Sequence, residues 1–169
     1  MNKLSLEHVV LRKITTKAEV ERLQPLVEEI WREHFSAILG TLQVEYMLKN
    51  YQSPEVILAE IASGRRYYFV EKEAQIIGYI AYDVLDQSLY LSKLYLLKAF
   101  RGKGLMKEVL NYLEGLAKSF GLSNLFLRVN RENQLALKVY QKLGFELFRT
   151  HCTPIGPYFL DDYELIKRL

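Results

Sequence analysis

Cysteine is almost missing from this chain: Cys152 stands alone among 169 residues. One thiol excludes an internal disulfide framework and suits a reducing compartment, so a cytoplasmic protein is expected. No apolar run approaches the roughly 20 residues that a membrane-crossing helix needs, so no membrane partner is expected. The amino-terminal stretch Met1-Asn2-Lys3-Leu4-Ser5-Leu6-Glu7-His8 is interrupted by charge and does not read as a signal peptide. Charge of one sign is also scarce, with 23 Lys and Arg against 20 Asp and Glu. The resulting net charge of +3 is too weak to argue for a nucleic-acid module built on Lys98, Arg101, Lys103 and Lys107. Histidine is limited to His8, His34 and His151, whose spacing offers no metal-ligand set. Repeats, low-complexity tracts and linkers are lacking, so one domain over residues 1–169 is expected.

What is present is enough for a real core, since half of the residues are hydrophobic. His8 to Ile14 reads as a strand. Apolar residues then recur at helical spacing from Lys17 to Leu39, with Thr15-Thr16 as N-cap candidates, a break expected near Pro25, and Gly40 as the stop. Residues 41–50 and 54–62 read as two further helical pieces, the second opened by Ser53-Pro54. Three β-rich runs follow at 66–71, 75–84 and 88–97, separated at hairpin lengths, which predicts an antiparallel meander. A helix over 103–120, a strand over 124–130, a helix over 133–143, and strands over 145–153 and 158–167 complete the order. This is an α/β (α+β) chain, with a mixed, mostly antiparallel sheet of about six to seven strands flanked by helices.

The most informative stretch is Leu94-Tyr95-Leu96-Leu97-Lys98-Ala99-Phe100-Arg101-Gly102-Lys103-Gly104-Leu105-Met106. It reads as the end of a buried strand, a basic turn with two glycines, and a helix start. A helix start offers backbone N–H groups without intrahelical partners, and glycines let the backbone curve around an anion. The stretch is therefore a phosphate cradle candidate. It lacks the Gly-Lys-Ser/Thr ending of a Walker A loop and the third glycine of a dinucleotide fingerprint. About thirty residues later come Asn133, Ala136, Tyr140, Gly144 and Phe145, in the order N-x-x-A-x-x-x-Y-x-x-x-G-F. Asn133 caps a helix, and Asn133, Ala136 and Tyr140 share one broad face of it.

Turn and helix together resemble the GNAT family of acyl-CoA-dependent N-acetyltransferases, most strongly over Ser88 to Phe145. The family's turn has the form Arg/Gln-x-x-Gly-x-Gly/Ala. Met106 stands where its last small residue would be, either crowding a pyrophosphate or pointing away along the helix. Lys93-Leu94-Tyr95 and Asp161-Asp162-Tyr163 look like the polyamine acetyltransferase branch. The resemblance implies acetyl-CoA as the acetyl donor, with its pantetheine arm in a gap between the strands at Leu91–Leu96 and Leu125–Asn130. It further implies cofactor contacts from Leu94, Tyr95 and Leu96, from Arg101, Gly102, Lys103, Gly104, Leu105 and Met106, and from Asn133. Tyr140 would protonate the leaving thiolate, and an N–H near Leu96 would stabilise the oxyanion.

An amine then attacks the thioester directly. The absence of a Gly-x-Ser-x-Gly elbow and of a Cys–His pairing agrees with a reaction lacking an enzyme nucleophile. No metal is expected. The general base is left open among Glu33, His34, Glu71 and Asp83. Trp31 and Phe35 suit a core position or a substrate wall; Glu28, Glu29 and Glu33 suit a solvated face or the attraction of a cation. The expected acceptor is a small-molecule amine, a polyamine first, with a protein amino terminus or lysine as the alternative. A non-catalytic acyl-CoA-binding domain on the same fold is the rival. Family analogy allows a homodimer.

Overall fold

Eight strands form one sheet in the computed structural model, which describes residues 2–169. The elements run β1 (Lys3–Ser5), β2 (Val10–Ile14), α1 (Lys17–Leu39), α2 (Thr41–Asn50), α3 (Pro54–Ala62), β3 (Arg66–Lys72), β4 (Gln75–Leu85), β5 (Ser88–Leu96), α4 (Leu105–Ser119), β6 (Asn124–Asn130), α5 (Gln134–Lys142), β7 (Glu146–Ile155) and β8 (Tyr158–Arg168). The strand order is β1-β2-β3-β4-β5-β6-β8-β7. Every neighbouring pair is antiparallel except β5 and β6. The strand count exceeds the expected six to seven because β1, three residues long, is too short to show a period of two.

Pro25 does not break α1, which runs unbroken for 23 residues. The proline is on the exposed side, where water can take the carbonyl left without its helical donor. Thr16 and Glu19 close a reciprocal capping box at the helix start. The opposite face buries Val20, Leu23, Val27, Ile30 and Trp31, each contributing about 1.5–3 kcal/mol. Pro154 lies within β7, which a sheet edge tolerates because one side of that strand has no ladder to complete.

Each face of the sheet carries a core. On one face, α1–α3 pack against β2–β5 and the tip of the β7–β8 hairpin through Ile14, Tyr67, Phe69, Tyr79, Ala81 and Ile155. On the other, α4 and α5 bury Val109, Leu113, Leu137 and Tyr140 against Leu89, Leu94, Leu127 and Leu165. No residue of β6 belongs to the α1-side core, so Phe126 on that side stacks on Tyr90, with ring centroids 4.7 Å apart.

Candidate functional site

Strands β5 and β6 pair for three residues only, Ser88–Tyr90 against Asn124–Phe126. Beyond that they part, and β5 continues to Leu96 bonded to β4 alone. A bulge begins the divergence. Ala81 pairs with Lys93 and Tyr82 with Leu91, so Ser92 is the extra residue. It puts Tyr90, Lys93 and Tyr95 on the α1 side and Leu94 and Leu96 on the other. The Leu97 amide donates to the Ile77 carbonyl at 2.8 Å. By the period of two, the peptide groups of Leu94 and Leu96 therefore face the gap and those of Tyr95 face β4. Gly78 stands opposite Leu96, and any Cβ there would strike the Tyr95 carbonyl oxygen. The glycine is what lets β4 hold this end of β5 so closely.

At the mouth of the gap the chain makes one 3-10 turn, Lys98–Phe100, and then the two-glycine turn. Gly102 and Gly104 have φ of 74° and 79°, the left-handed region that glycine adopts without strain. The first bond back from α4 is Glu108 N–H to the Gly104 carbonyl, 3.2 Å. Among the described residues, the six amides from Gly102 to Lys107 have no protein acceptor. Lys98, Lys103 and Lys107 around them are exposed, and none has a carboxylate partner among the described residues. Glu108, the one acid in this first turn, is directed to the β1–β2 loop, where its oxygens accept from the His8 and Val9 amides and meet His8 Nδ1 at 2.8 Å. Glu7 completes a trio with His8 and Glu108 whose ligand-type atoms lie within 4.8 Å of one another, with the Glu108 oxygens already taken.

The structure brings most of the sequence-predicted residues together and separates a few. Met106 packs against the α4–α5 core and so points away from the turn. Arg101 differs from its neighbours. Its amide is spent on the Lys98 carbonyl, its Nε donates to the Leu96 carbonyl at 3.0 Å, and its two terminal nitrogens grip Glu33 at 3.0 and 2.6 Å. It joins α1, the end of β5 and the turn. The Tyr95 backbone is spent on β4, and its ring packs among Trp31, His34, Phe35 and Tyr79. Asn133 caps α5, its side-chain oxygen accepting from the Ala136 amide at 3.2 Å.

Tyr140 is 92% buried, at 8% exposure, yet its hydroxyl oxygen has no hydrogen-bond partner and is not sealed from solvent. Burial pushes this phenol well up, so it stays protonated at neutral pH. Burial, the phenols of Tyr79, Tyr140 and Tyr90, and the Asp162 carboxylate push Tyr95 up as well. Tyr140 lies in the α4–α5 core and Tyr95 packs with the α1-side core, so the two phenols stand on opposite faces of the sheet.

Three of the four base candidates are engaged elsewhere. The Arg101 hydrogen bond holds Glu33 below the usual carboxylate range. Glu71 accepts from Arg12 at 2.7 Å. Asp83 binds Arg65, in a network where Lys93 Nζ donates to the Tyr67 hydroxyl at 3.0 Å and that hydroxyl donates to Glu60 at 2.7 Å. Burial draws Lys93 down to about 8 there. His34 is half-buried beside Tyr95, ring centroids 6.0 Å apart, and burial lowers its pKa so that it is neutral at pH 7. Asp162, marked in the sequence only as part of Asp161-Asp162-Tyr163, was not among the base candidates; its place opposite the end of β6 brings it forward. An open cleft of ≈ 530 Å³ lies nearby, lined by Ile38, Gln43, Asn130, Arg131, Glu132 and Asp161 among others. A second cavity of ≈ 270 Å³ between α4 and α5 is lined by Lys107, Asn111, Glu114, Lys142 and Lys167, the last paired with Glu114 at 2.8 Å.

A mixed sheet parted between its two parallel strands, with an amide-rich helix start at the opening, defines the acetyltransferase class of folds. The chain belongs to the acetyltransferase (GNAT) family, whose model matches residues 23–145. An uncharacterised N-acetyltransferase of Mycobacterium bovis is 32% identical over 100 residues, and the match spans 57% of this chain and 63% of that protein, a little under two thirds of its length. A spermidine N(1)-acetyltransferase of Thermoplasma acidophilum is 25% identical over 139 residues, covering 78% of this chain and 86% of the relative. Among solved structures, the PaiA N-acetyltransferase of Thermoplasma acidophilum in complex with coenzyme A superposes with a TM-score of 0.80. It is 23% identical and covers 98% of this chain and 100% of that one. A probable acetyltransferase of Staphylococcus epidermidis gives 0.72 at 14% identity, covering 95% and 98%. Among the described residues no helix is long and apolar enough to cross a membrane.

Proposed function

We propose that this protein transfers the acetyl group of acetyl-CoA to a primary amine, and that the amine is a small cation of the polyamine type. The observation that carries the reading is the parted β5–β6 pair with six unpartnered amides at its mouth. The amides of Gly102 to Lys107 hold the pyrophosphate, with Lys103 and Lys107 adding charge. The pantetheine arm lies in the gap and bonds the free peptide groups of Leu94, and the free Leu96 N–H, as an added strand would. Asn133 lies along the arm, and the basic cavity between α4 and α5 receives the nucleotide end.

The amine attacks the thioester carbon from the α1 side. The Leu96 N–H donates to the developing oxyanion. The C–S bond then breaks towards the α5 side, where the Tyr140 hydroxyl protonates the thiolate. The cationic acceptor is favoured by Glu132 at the cleft, where Asp161 is already paired with Arg131, and by the similarity to the Thermoplasma spermidine N(1)-acetyltransferase. The reducing cytoplasm suits the lone exposed Cys152. The β7 edge, with Leu147 and Phe148 exposed, is where a second copy would pair. Thiol release from acetyl-CoA, measured against a panel of spermidine, spermine, putrescine and a lysine-bearing peptide, tests the acceptor. The polyamines should accelerate release most; a preference for the peptide would replace the small cation with a protein amine.

A further inference from the structure

Carboxylates in this protein are almost always answered once they leave solvent. Among the described residues, the partly or fully buried ones, Glu60, Glu71, Asp83, Glu108, Glu114 and Glu164 among them, accept a hydrogen bond or an ion pair. Asp162 is the exception, half-buried with neither. Covering an unanswered carboxylate is unfavourable, so its retention points to a cation supplied from outside.

Its position says what that cation is. Asp162 pairs in register with Asn130, the last residue of β6, and with His151 on β7. Leu160 packs on the α1-side core and Leu165 on the other, so alternation along β8 puts Asp162 on the α1 side with Tyr95. No residue of β6 joins the α1-side core, and in the proposed reaction the amine approaches from this side. The charged and titratable groups facing Asp162 are Arg128 from β6, Tyr95 from β5, His151 from β7 and its own neighbour Asp161. Arg128 is committed to Glu164 at 3.2 Å, and Arg131 to Asp161 at 3.3 Å. Neither neutralises Asp162.

We propose that Asp162 binds the ammonium of the acceptor amine and takes its proton. This rests on the reading that the thioester lies between β5 and β6. One N–H proton passes to the carboxylate and the freed lone pair forms the N–C bond. The C–S electrons leave with sulfur, which takes the Tyr140 proton. The second nitrogen proton returns to the Tyr140 phenolate through water, and Asp162 releases its own to solvent, one proton per turnover. Base and acid thus act from opposite faces of the sheet. Burial pushes the Asp162 carboxyl up to about 6, with Arg128 drawing it down and Asp161 adding to the rise. The ionised form is the base, so the rate should climb as pH rises through about 6.

The test is Asp162→Asn in the full chain, with propylamine as a probe that demands no polyamine specificity. We expect kcat/KM for propylamine to fall about 100-fold or more, with acetyl-CoA affinity by calorimetry unchanged. The climb near pH 6 should vanish. The parent loses stability as pH rises through the raised carboxyl pKa and the variant does not, so above pH 6 the variant should melt no lower than the parent. A purely structural role would lower melting and leave the pH profile in place. A variant within about threefold of the parent rate, or one that keeps the climb, overturns the proposal. Spermidine run alongside keeps the two readings apart: if it is no better than propylamine, the polyamine acceptor falls while the propylamine profile still judges Asp162. A parent accelerated by neither amine removes both.

Discussion

Tyr140 is the residue on which the chemical step turns in the proposed reaction. Its hydroxyl lacks a protein partner and its proton is held by burial. Tyr140→Phe keeps the ring, and with it the edge contact to Phe145 at 5.6 Å. Steady-state kinetics should show kcat lower by about 100- to 10,000-fold, the range of general acid catalysis, with acetyl-CoA affinity little changed. An unaltered rate would hand the proton to water. Met106 shows how one side chain's meaning depends on direction. Its identity departs from the family's small residue, yet it packs into the core behind α4 and leaves the amides open.

At the scale of the element, the turn before α4 is proposed as the anion site because two glycines hold positive φ and the helix start is bare. A Cβ at Gly104 would meet nothing within 4 Å, so the cost of replacing it is conformational, about 1–2 kcal/mol. Gly104→Asp adds a carboxylate at the cradle as well. Calorimetry should show acetyl-CoA binding lost, while circular dichroism shows the fold kept; normal affinity would move the pyrophosphate elsewhere. Most elements were legible in the sequence because their signals are local. The Thr16 cap, the Ser53-Pro54 start and the apolar stripes of α1 and α4 all act within a few residues. The break expected at Pro25 does not occur, because that rule is overridden when the ring faces solvent and the rest of the helix is packed.

For the whole molecule, the parted sheet is a stability matter as well as a functional one. Peptide groups of β5 beyond Tyr90 have no β6 partner, and a ligand that bonds them favours the folded state alone. Acetyl-CoA at about a hundred times its Kd should stabilise the fold by about 2.7 kcal/mol. That is a rise in Tm of about 5–10 °C for a chain of this size, read by scanning calorimetry. A ligand bound on the outer surface would give the same rise. The double outcome, a rise in the parent and none in Gly104→Asp, is the one expected here.

The sequence by itself determined the order of strands and helices from β2 onward, the glycine turn and the capped tyrosine helix, because backbone propensity, capping and periodicity are set by near neighbours. Only the tertiary structure decided that Arg101 is spent on Glu33 and Leu96, that Lys93 belongs to a buried network with Glu60 and Tyr67, and that Asp162, alone among covered carboxylates of the described residues, is unanswered. Charge pairing is settled by distance in space, and residues 68 positions apart along the chain, as Glu33 and Arg101 are, carry no local mark of it.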